Sequence, residues 1–338
     1  MKIWNVGLVG CGAISNVHLG VLSQMPNVKL VAVCDIDEAK LKAATEKYGC
    51  KGFTDYHDLI AMDEIEVVHV TTPHYLHAPI AIEAMKAGKK VITEKPVASE
   101  IADAAEMVEV AKTSQLAVCF QNRYNKSSQM MRQIVDSKEY GDIIGMRGIV
   151  TWHRDAYPYY TGSGWRGTWE KEGGGVLINQ SIHTLDLLLW LGGDVKSVKG
   201  AVSTDKLFND IEVEDSAHFL VKFNNGITAT FYATNAYAID APIFVEVVLE
   251  KATLRLRGDS LFILKDGEET MLCEPPKIEI GVNGKGYWGA GHPALIEDAY
   301  KHFESGEHFW IDGQVGFNAL KVLKSVYQSS KENKEIVF

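Results

Sequence analysis

Two patterns alternate along the first third of the chain. Short apolar and β-branched runs, IWNVGLVG, VKLVAVCD, EIEVVHVTT (residues 64–72), KKVITEK and LAVCF, have the length and composition of buried strands. Between them, stretches such as DEAKLKAATEKYG and AIEAMKAGK place apolar residues at helical spacing, and the second closes on Gly88 as helix ends often do. Strand–helix alternation of this kind predicts a parallel sheet with helices on both faces. Past residue 125 the pattern changes, and IIGMRGIVTWH, VKSVKGAVS, DSAHFLVKF, GITATFYAT, PIFVEVVLE, ATLRLRG and SLFILKD follow as strands joined by turns such as NNG and KDG. These predict a mostly antiparallel open sheet with one helical layer. Two helical patterns, HPALIEDAYKHFESG and QVGFNALKVLKSVYQSS, close the chain and could pack on either domain. The expected organisation is an N-terminal α/β domain over residues 1–125 and a C-terminal α+β domain over residues 126–338.

Composition narrows the partners. With 338 residues the chain is long enough for two domains, and 46% hydrophobic against 23% charged residues is the balance of a soluble globular protein. The start, MKIWNVGLVGCGAIS, lacks the charged, long apolar and small-residue sequence of a secretion signal and reads as a strand, so a cytoplasmic location is expected. Five cysteines, Cys11, Cys34, Cys50, Cys119 and Cys273, are scattered without a CxxC pair, which argues against a disulfide framework and a zinc site. Thirty-four basic against 44 acidic residues give a net charge of −10, unfavourable for nucleic acid and for an anionic membrane. A small molecule is the expected ligand, and no metal is expected.

The segment GLVGCGAIS follows the first strand, and Gly10, Gly12 and Ser15 occupy the positions of a G-x-G-x-x-G/A turn. Gly10 suits the tight turn, Gly12 lets the backbone around Ala13 and Ile14 approach a pyrophosphate, and Ser15 is small enough for close helix–strand packing. Asp35 ends the second strand about twenty residues later, where a carboxylate can accept both hydroxyls of an adenosine ribose. No basic residue follows until Lys40, so NAD is expected rather than NADP.

Two further segments carry chemistry. TEKPVA places Glu94 and Lys95 at the carboxyl edge of the parallel sheet, where both are expected to contact the cofactor, with Pro96 restricting the Lys95 backbone. In EGGGVLINQSIHTLDLLLW, Asn179, His183 and Asp186 are four and then three residues apart, a spacing that puts them on one face of a helix opened by three glycines. Asp186 is then placed to orient His183 or to stabilise the helix. Just before it, RDAYPYYTGSGWRGTWE offers Tyr157, Tyr160, Trp165 and Arg166, aromatic faces for the CH surface of a sugar and a planar donor for its oxygens, phosphate or carboxylate.

Together GCGAIS, TTPHYLHAPIAIEAMKAGKKVITEKP and EGGGVLINQSIHTLDLLLWLGG resemble the signatures of the Gfo/Idh/MocA family, that of glucose-fructose oxidoreductase and inositol dehydrogenase, and the resemblance spans essentially the whole chain. It implies an N-terminal Rossmann domain and a C-terminal α/β domain whose open sheet mediates homodimer or homotetramer contacts. It also implies that Lys95 and His183 face the nicotinamide, with His183 as base and Lys95 stabilising charge on the substrate oxygen. By the same resemblance Thr72, Pro73 and His77 lie along the cofactor. Asn122 and Arg123, in QNRYN, are expected from their place at the domain junction to contact cofactor or substrate. Many members carry Asp where this chain has Asn179, which cannot titrate but can orient a hydroxyl. The expected activity is NAD-dependent oxidation of a secondary hydroxyl of a sugar, sugar derivative or cyclitol. The alternatives are a glycosidase-type redox elimination through the same residues and a non-catalytic sugar or NAD sensor.

Overall fold

A computed structural model describes residues 2–275 and 290–338. The chain divides into two compact units, one formed by Met1–Phe120 with His292–Leu320 and the other by Gln121–Gly291 with Lys321–Phe338.

The first unit is built on a parallel sheet of β1 (Trp4–Val9), β2 (Val28–Cys34), β3 (Lys51–Phe53), β4 (Val67–Val70), β5 (Lys90–Thr93) and β6 (Leu116–Val118), in the order β3-β2-β1-β4-β5-β6. Strands buried on both faces need continuous apolar runs, and Val6, Leu8, Val67, Val68, Val70, Val91 and Ile92 are all fully buried. The order reverses between β1 and β4, the switch point at which the carboxyl ends of adjacent strands leave a crevice. Helices α1 (Ser15–Leu22), α2 (Glu38–Tyr48), α3 (Tyr56–Ile60), α4 (His77–Lys86) and α5 (Ile101–Ala111) supply the crossovers. Asp37 caps α2 by accepting from the amides of Ala39 and Lys40, and Gly49 ends it in the left-handed conformation.

The second unit begins with α6 (Lys126–Ser137), β7 (Ile143–Thr151) and α7 (Ile182–Gly192). It continues with β8 (Val195–Ser203), β9 (Ser216–Phe223), β10 (Thr228–Thr234), β11 (Phe244–Leu249), β12 (Thr253–Arg257), β13 (Ser260–Lys265) and β14 (Glu268–Cys273). With β15 (Ile336–Val337) these strands form a nine-stranded sheet among the described residues, antiparallel except for the pair β7–β10. Strand β9 alternates buried and exposed positions along its length, so Phe219 and Val221 face the helices while His218, Leu220 and Lys222 face outward. Phe219 stacks on Phe231 of β10 with ring centroids 4.9 Å apart, and Leu188 of α7 reaches Gly148 of β7 from the same side.

The closing helices settle where the sequence left two options. Helix α8 (His292–Ser305) joins the first unit, where Tyr300 and Phe303 meet Trp4 edge-on at 6.1 and 6.5 Å. Helix α9 (Gly313–Glu332) contributes residues to both units.

Candidate active site

Three neighbouring strands of the first unit end in the residues singled out from sequence. After β1, Gly10 has φ +97°, and a Cβ there would lie 2.8 Å from the Thr71–Thr72 backbone that follows β4. Thr71 tightens this crossing by donating its hydroxyl to the Gly10 carbonyl at 2.6 Å. A Cβ on Gly12 would meet nothing within 4 Å, so the turn is open on that side, as close approach of a pyrophosphate requires. Ser15 is buried and donates to the Gly12 carbonyl at 2.6 Å, which accounts for a serine where glycine or alanine is usual. The Asp35 carboxylate accepts from the amides of Cys11 at 2.6 Å and Asp37 at 2.8 Å, holding it beside the turn, while capping of α2 falls to Asp37. Thr72 Oγ1, after β4, is buried with no hydrogen-bond partner among the described residues.

Lys95 follows β5 on the same edge. Its backbone amide donates to Glu94 Oε2 at 3.2 Å, and the Pro96 carbonyl beyond it faces His77 Nδ1 at 2.7 Å. His77 Nε2 faces the Thr72 carbonyl at 2.8 Å. His77, anticipated as a cofactor contact, thus ties the Thr72 turn to the Lys95 turn; burial pulls its pKa down, opposed by those two carbonyls. Glu94, also anticipated at the cofactor, is enclosed by His18 and His292, each with Nε2 at 3.1 Å from Oε1. Those hydrogen bonds hold the carboxyl well below the usual range despite the burial that opposes them.

The second unit carries His183 near the start of α7, buried, with the Gln121 amide nitrogen 3.4 Å from its Nε2. Asn122 next to Gln121 is fully buried, and neither amide atom has a partner among the described residues. Arg123 is committed to Asp186 through two charge-assisted bonds of 2.8 and 2.7 Å and stands over Trp190 at 5.4 Å. Asp186 therefore does not orient His183: its carboxylate pairs with Arg123, and both are buried. The expected helix carrying Asn179 is also corrected. Helix α7 starts at Ile182, and residues 173–181 run as turns. The glycines serve the packing of this segment, since a Cβ on Gly175 would lie 1.9 Å from the Glu214 carbonyl and one on Gly174 2.1 Å from the Tyr327 hydroxyl.

Asn179 donates to Glu172 Oε1 at 2.6 Å and to the Tyr159 hydroxyl at 3.4 Å. Glu172 Oε2 accepts from the Gly167 amide, and burial pushes this carboxyl up to about 7. Burial likewise pushes Glu214 up to about 7, although it accepts from the amides of Gly175 and Leu177 and from the Tyr327 hydroxyl. Arg166 lies 4.6 Å from the ring centroids of both Tyr159 and Trp165, with its Nε buried and unpartnered among the described residues. Tyr160 is buried against Asn235, whereas Tyr157 is 75% exposed. Glu172, Tyr159, Gln121, His18 and His292 are not anticipated by the sequence patterns. Glu172 alone gave a usable signal, an acidic residue set against a glycine run.

An open glycine turn, a carboxylate tethered beside it and a lysine stand on adjacent strand ends of a doubly wound parallel sheet. Residues 4–122 match the oxidoreductase family described as having an NAD-binding Rossmann fold, and residues 128–255 match the GFO/IDH/MocA C-terminal domain. The chain belongs to the Gfo/Idh/MocA oxidoreductase family. It is 32% identical to the WlbA dehydrogenase from Chromobacterium violaceum, solved with NADH and UDP-GlcNAcA, covering 100% of this chain and 96% of that one with a TM-score of 0.86. It is also 32% identical over 200 residues to inositol 2-dehydrogenase of Salmonella typhimurium, 57% of this chain and 56% of that relative. The D-apiose dehydrogenase of Paraburkholderia graminis is 25% identical across 99% of this chain and 90% of its own length. The chain thus aligns with little more than half the length of the inositol dehydrogenase.

Proposed function

We propose that the protein is an NAD-dependent dehydrogenase that oxidises a secondary hydroxyl of a sugar, sugar derivative or cyclitol. The observation that carries this reading is the contiguous edge formed by the ends of β1, β4 and β5, where Gly10, Thr72 and Lys95 follow one another across the switch point. The Gly10–Gly12 turn would hold the pyrophosphate, Asp35 the adenosine ribose, and the orphan Thr72 hydroxyl a further polar group of the cofactor. NAD bound there supplies the acceptor for the hydride that leaves the carbinol carbon.

Lys95 is assigned to stabilise the charge that develops on a substrate oxygen. His183 is assigned as the base for a hydroxyl proton. Asn179, fixed by Glu172, orients a neighbouring hydroxyl, and the Tyr159–Arg166–Trp165 stack offers a flat face and a cation to the rest of the ligand. The relatives named for inositol and D-apiose, and the WlbA structure with its nucleotide sugar, support this class of substrate. We also assign the outward face of the nine-stranded sheet to self-association as a homodimer or homotetramer.

The test is an NADH-fluorescence screen over cyclitols, free sugars, sugar phosphates and nucleotide sugars. NADH formation with one class supports the reading. Release of a leaving group without net NADH would replace it by redox elimination, and ligand binding without either product would make the protein a sensor.

A further inference from the structure

Behind Lys95 lies a chain of buried polar side chains that no part of the hydride transfer uses. Tyr300 Oη is 3.1 Å from His69 Nε2, His69 Nδ1 is 2.9 Å from His18 Nδ1, and His18 Nε2 is 3.1 Å from Glu94 Oε1. His292 Nε2 reaches the same oxygen at 3.1 Å, and Glu94 Oε2 accepts the Lys95 backbone amide at 3.2 Å. All five side chains are nearly or fully inaccessible to solvent and belong to the first unit.

The donor and acceptor roles in this chain are not free to vary. An ionised Glu94 only accepts, so His18 and His292 must each donate from Nε2. A neutral His18 then has only an acceptor left at Nδ1, so the proton in the 2.9 Å contact belongs to His69. A neutral His69 that donates from Nδ1 accepts at Nε2, which takes the Tyr300 hydroxyl hydrogen. Burial favours the neutral form of both rings, pulling the pKa of His18 down and that of His69 well down, and it pushes Tyr300 well up. Every bond therefore points towards Glu94, and the chain ends on the backbone of the proposed catalytic lysine.

We propose that Glu94 is a positioning residue for Lys95, aimed by a one-way hydrogen-bond chain Tyr300→His69→His18→Glu94 and braced by His292. The functional half of this inference rests on the reading of Lys95 as catalytic. The carboxylate fixes the Lys95 amide from one side while His77 faces the Pro96 carbonyl from the other. A shift of about an ångström in a reacting group lowers rate far more than it lowers binding. His18, Glu94 and His292 also offer three ligand atoms within 4.8 Å of one another, so a bound cation is the rival account of the same cluster.

The test uses the full chain saturated with NAD. Long-range proton–nitrogen correlation spectra of histidine-labelled protein at pH 7, assigned with His18→Gln and His69→Gln, should show His18 protonated on Nε2 alone and His69 on Nδ1 alone. His69 protonated on Nε2, an imidazolium at either ring, or one zinc per chain by elemental analysis would overturn the ordered chain. Glu94→Gln removes the charge and one acceptor without changing volume. It should lower kcat at least tenfold while the KM for substrate and the Kd for NAD stay within about threefold, a split that a general loss of folding does not produce. An unchanged kcat would overturn the positioning role. If Glu94→Gln does not fold, His292→Leu, which withdraws one donor from Oε1, should lower kcat at least threefold, and wild-type turnover there would overturn the role equally. Lys95→Ala separates the two readings. An inactive Lys95→Ala beside a fully active Glu94→Gln sinks only the positioning role, whereas an active Lys95→Ala sinks the catalytic reading and leaves the tautomer result standing on its own.

Discussion

At the scale of single residues, the proposed chemistry rests on Lys95 and His183. Replacing either with alanine should lower turnover by at least about a hundredfold, the scale of losing a general acid–base group, while NAD still binds; turnover near wild type in both variants would end the assignment. Asp35→Ala should weaken NAD and relax the discrimination against NADP, because the carboxylate held by the Cys11 and Asp37 amides is what would repel a 2'-phosphate. Titration calorimetry with both dinucleotides reads this directly, and an unchanged preference would mean that the ribose lies elsewhere. Glu172 makes a pH-dependent prediction. Its carboxyl rises from the usual 4.5 in the unfolded chain to about 7 in the fold, so the folded state binds more protons between those values. Stability should therefore fall as pH rises through that window, by roughly 3 kcal/mol relative to a group that does not titrate. Denaturant unfolding of wild type against Glu172→Gln at pH 4.5, 5.5 and 7 isolates this slope, and a difference that grows in the opposite direction would show that the carboxyl is not raised. Glu172 and Asn179 were both visible in sequence, yet their bond was not, because the segment between them is shaped by contacts of Gly174 and Gly175 with residues far along the chain.

At the scale of elements, the two glycines of the nucleotide turn separate folding from binding. Gly10 has φ +97° and backbone at 2.8 Å from a would-be Cβ, so Gly10→Ala should destabilise the first unit by about 3 kcal/mol. Gly12 has open space, so Gly12→Ala should melt within a degree or two of wild type yet bind NAD more weakly. Equal melting of the two variants would contradict the turn geometry. What was legible in sequence at this scale followed from burial. Strands β1, β2, β4 and β5 announce themselves because most of their positions are buried and apolar, with Asn5, Lys29, His69, Lys90 and Thr93 as the polar exceptions. The three-residue β3, Lys51–Phe53, is largely exposed and carries no such pattern. Asn179 fitted a helical spacing with His183, but a 3.6-residue period is satisfied by chance over so few positions, and Gly174 and Gly175 keep the segment in turns until Ile182. The histidine cluster was out of reach for a different reason. His18 and His69 are 51 residues apart, Glu94 and His292 are 198, and only the sheet order and the return of α8 bring them together.

At the scale of the whole molecule, the nine-stranded sheet has one face that carries exposed side chains among the described residues. Its inner face is covered by helices, while the outer positions of β9 and β10 carry Leu220 and Tyr232, 42% and 41% exposed, on strands whose registers pair Leu220 with Thr230 and His218 with Tyr232. Exposed large apolar side chains among polar ones are what an association surface requires, and burying two or more such residues contributes on the order of 1.5–3 kcal/mol each. A charge at these positions touches no core contact of the protomer but opposes a like charge across any symmetric interface, where residue meets residue about a two-fold axis. The double variant Leu220→Glu/Tyr232→Glu should therefore keep the wild-type melting of an isolated chain and elute at the 37.4 kDa mass of one protomer by light scattering, with wild type at two or four times that mass. An assembly unchanged by both substitutions would move the association surface off this face, and a wild type that is already monomeric would remove the assignment altogether.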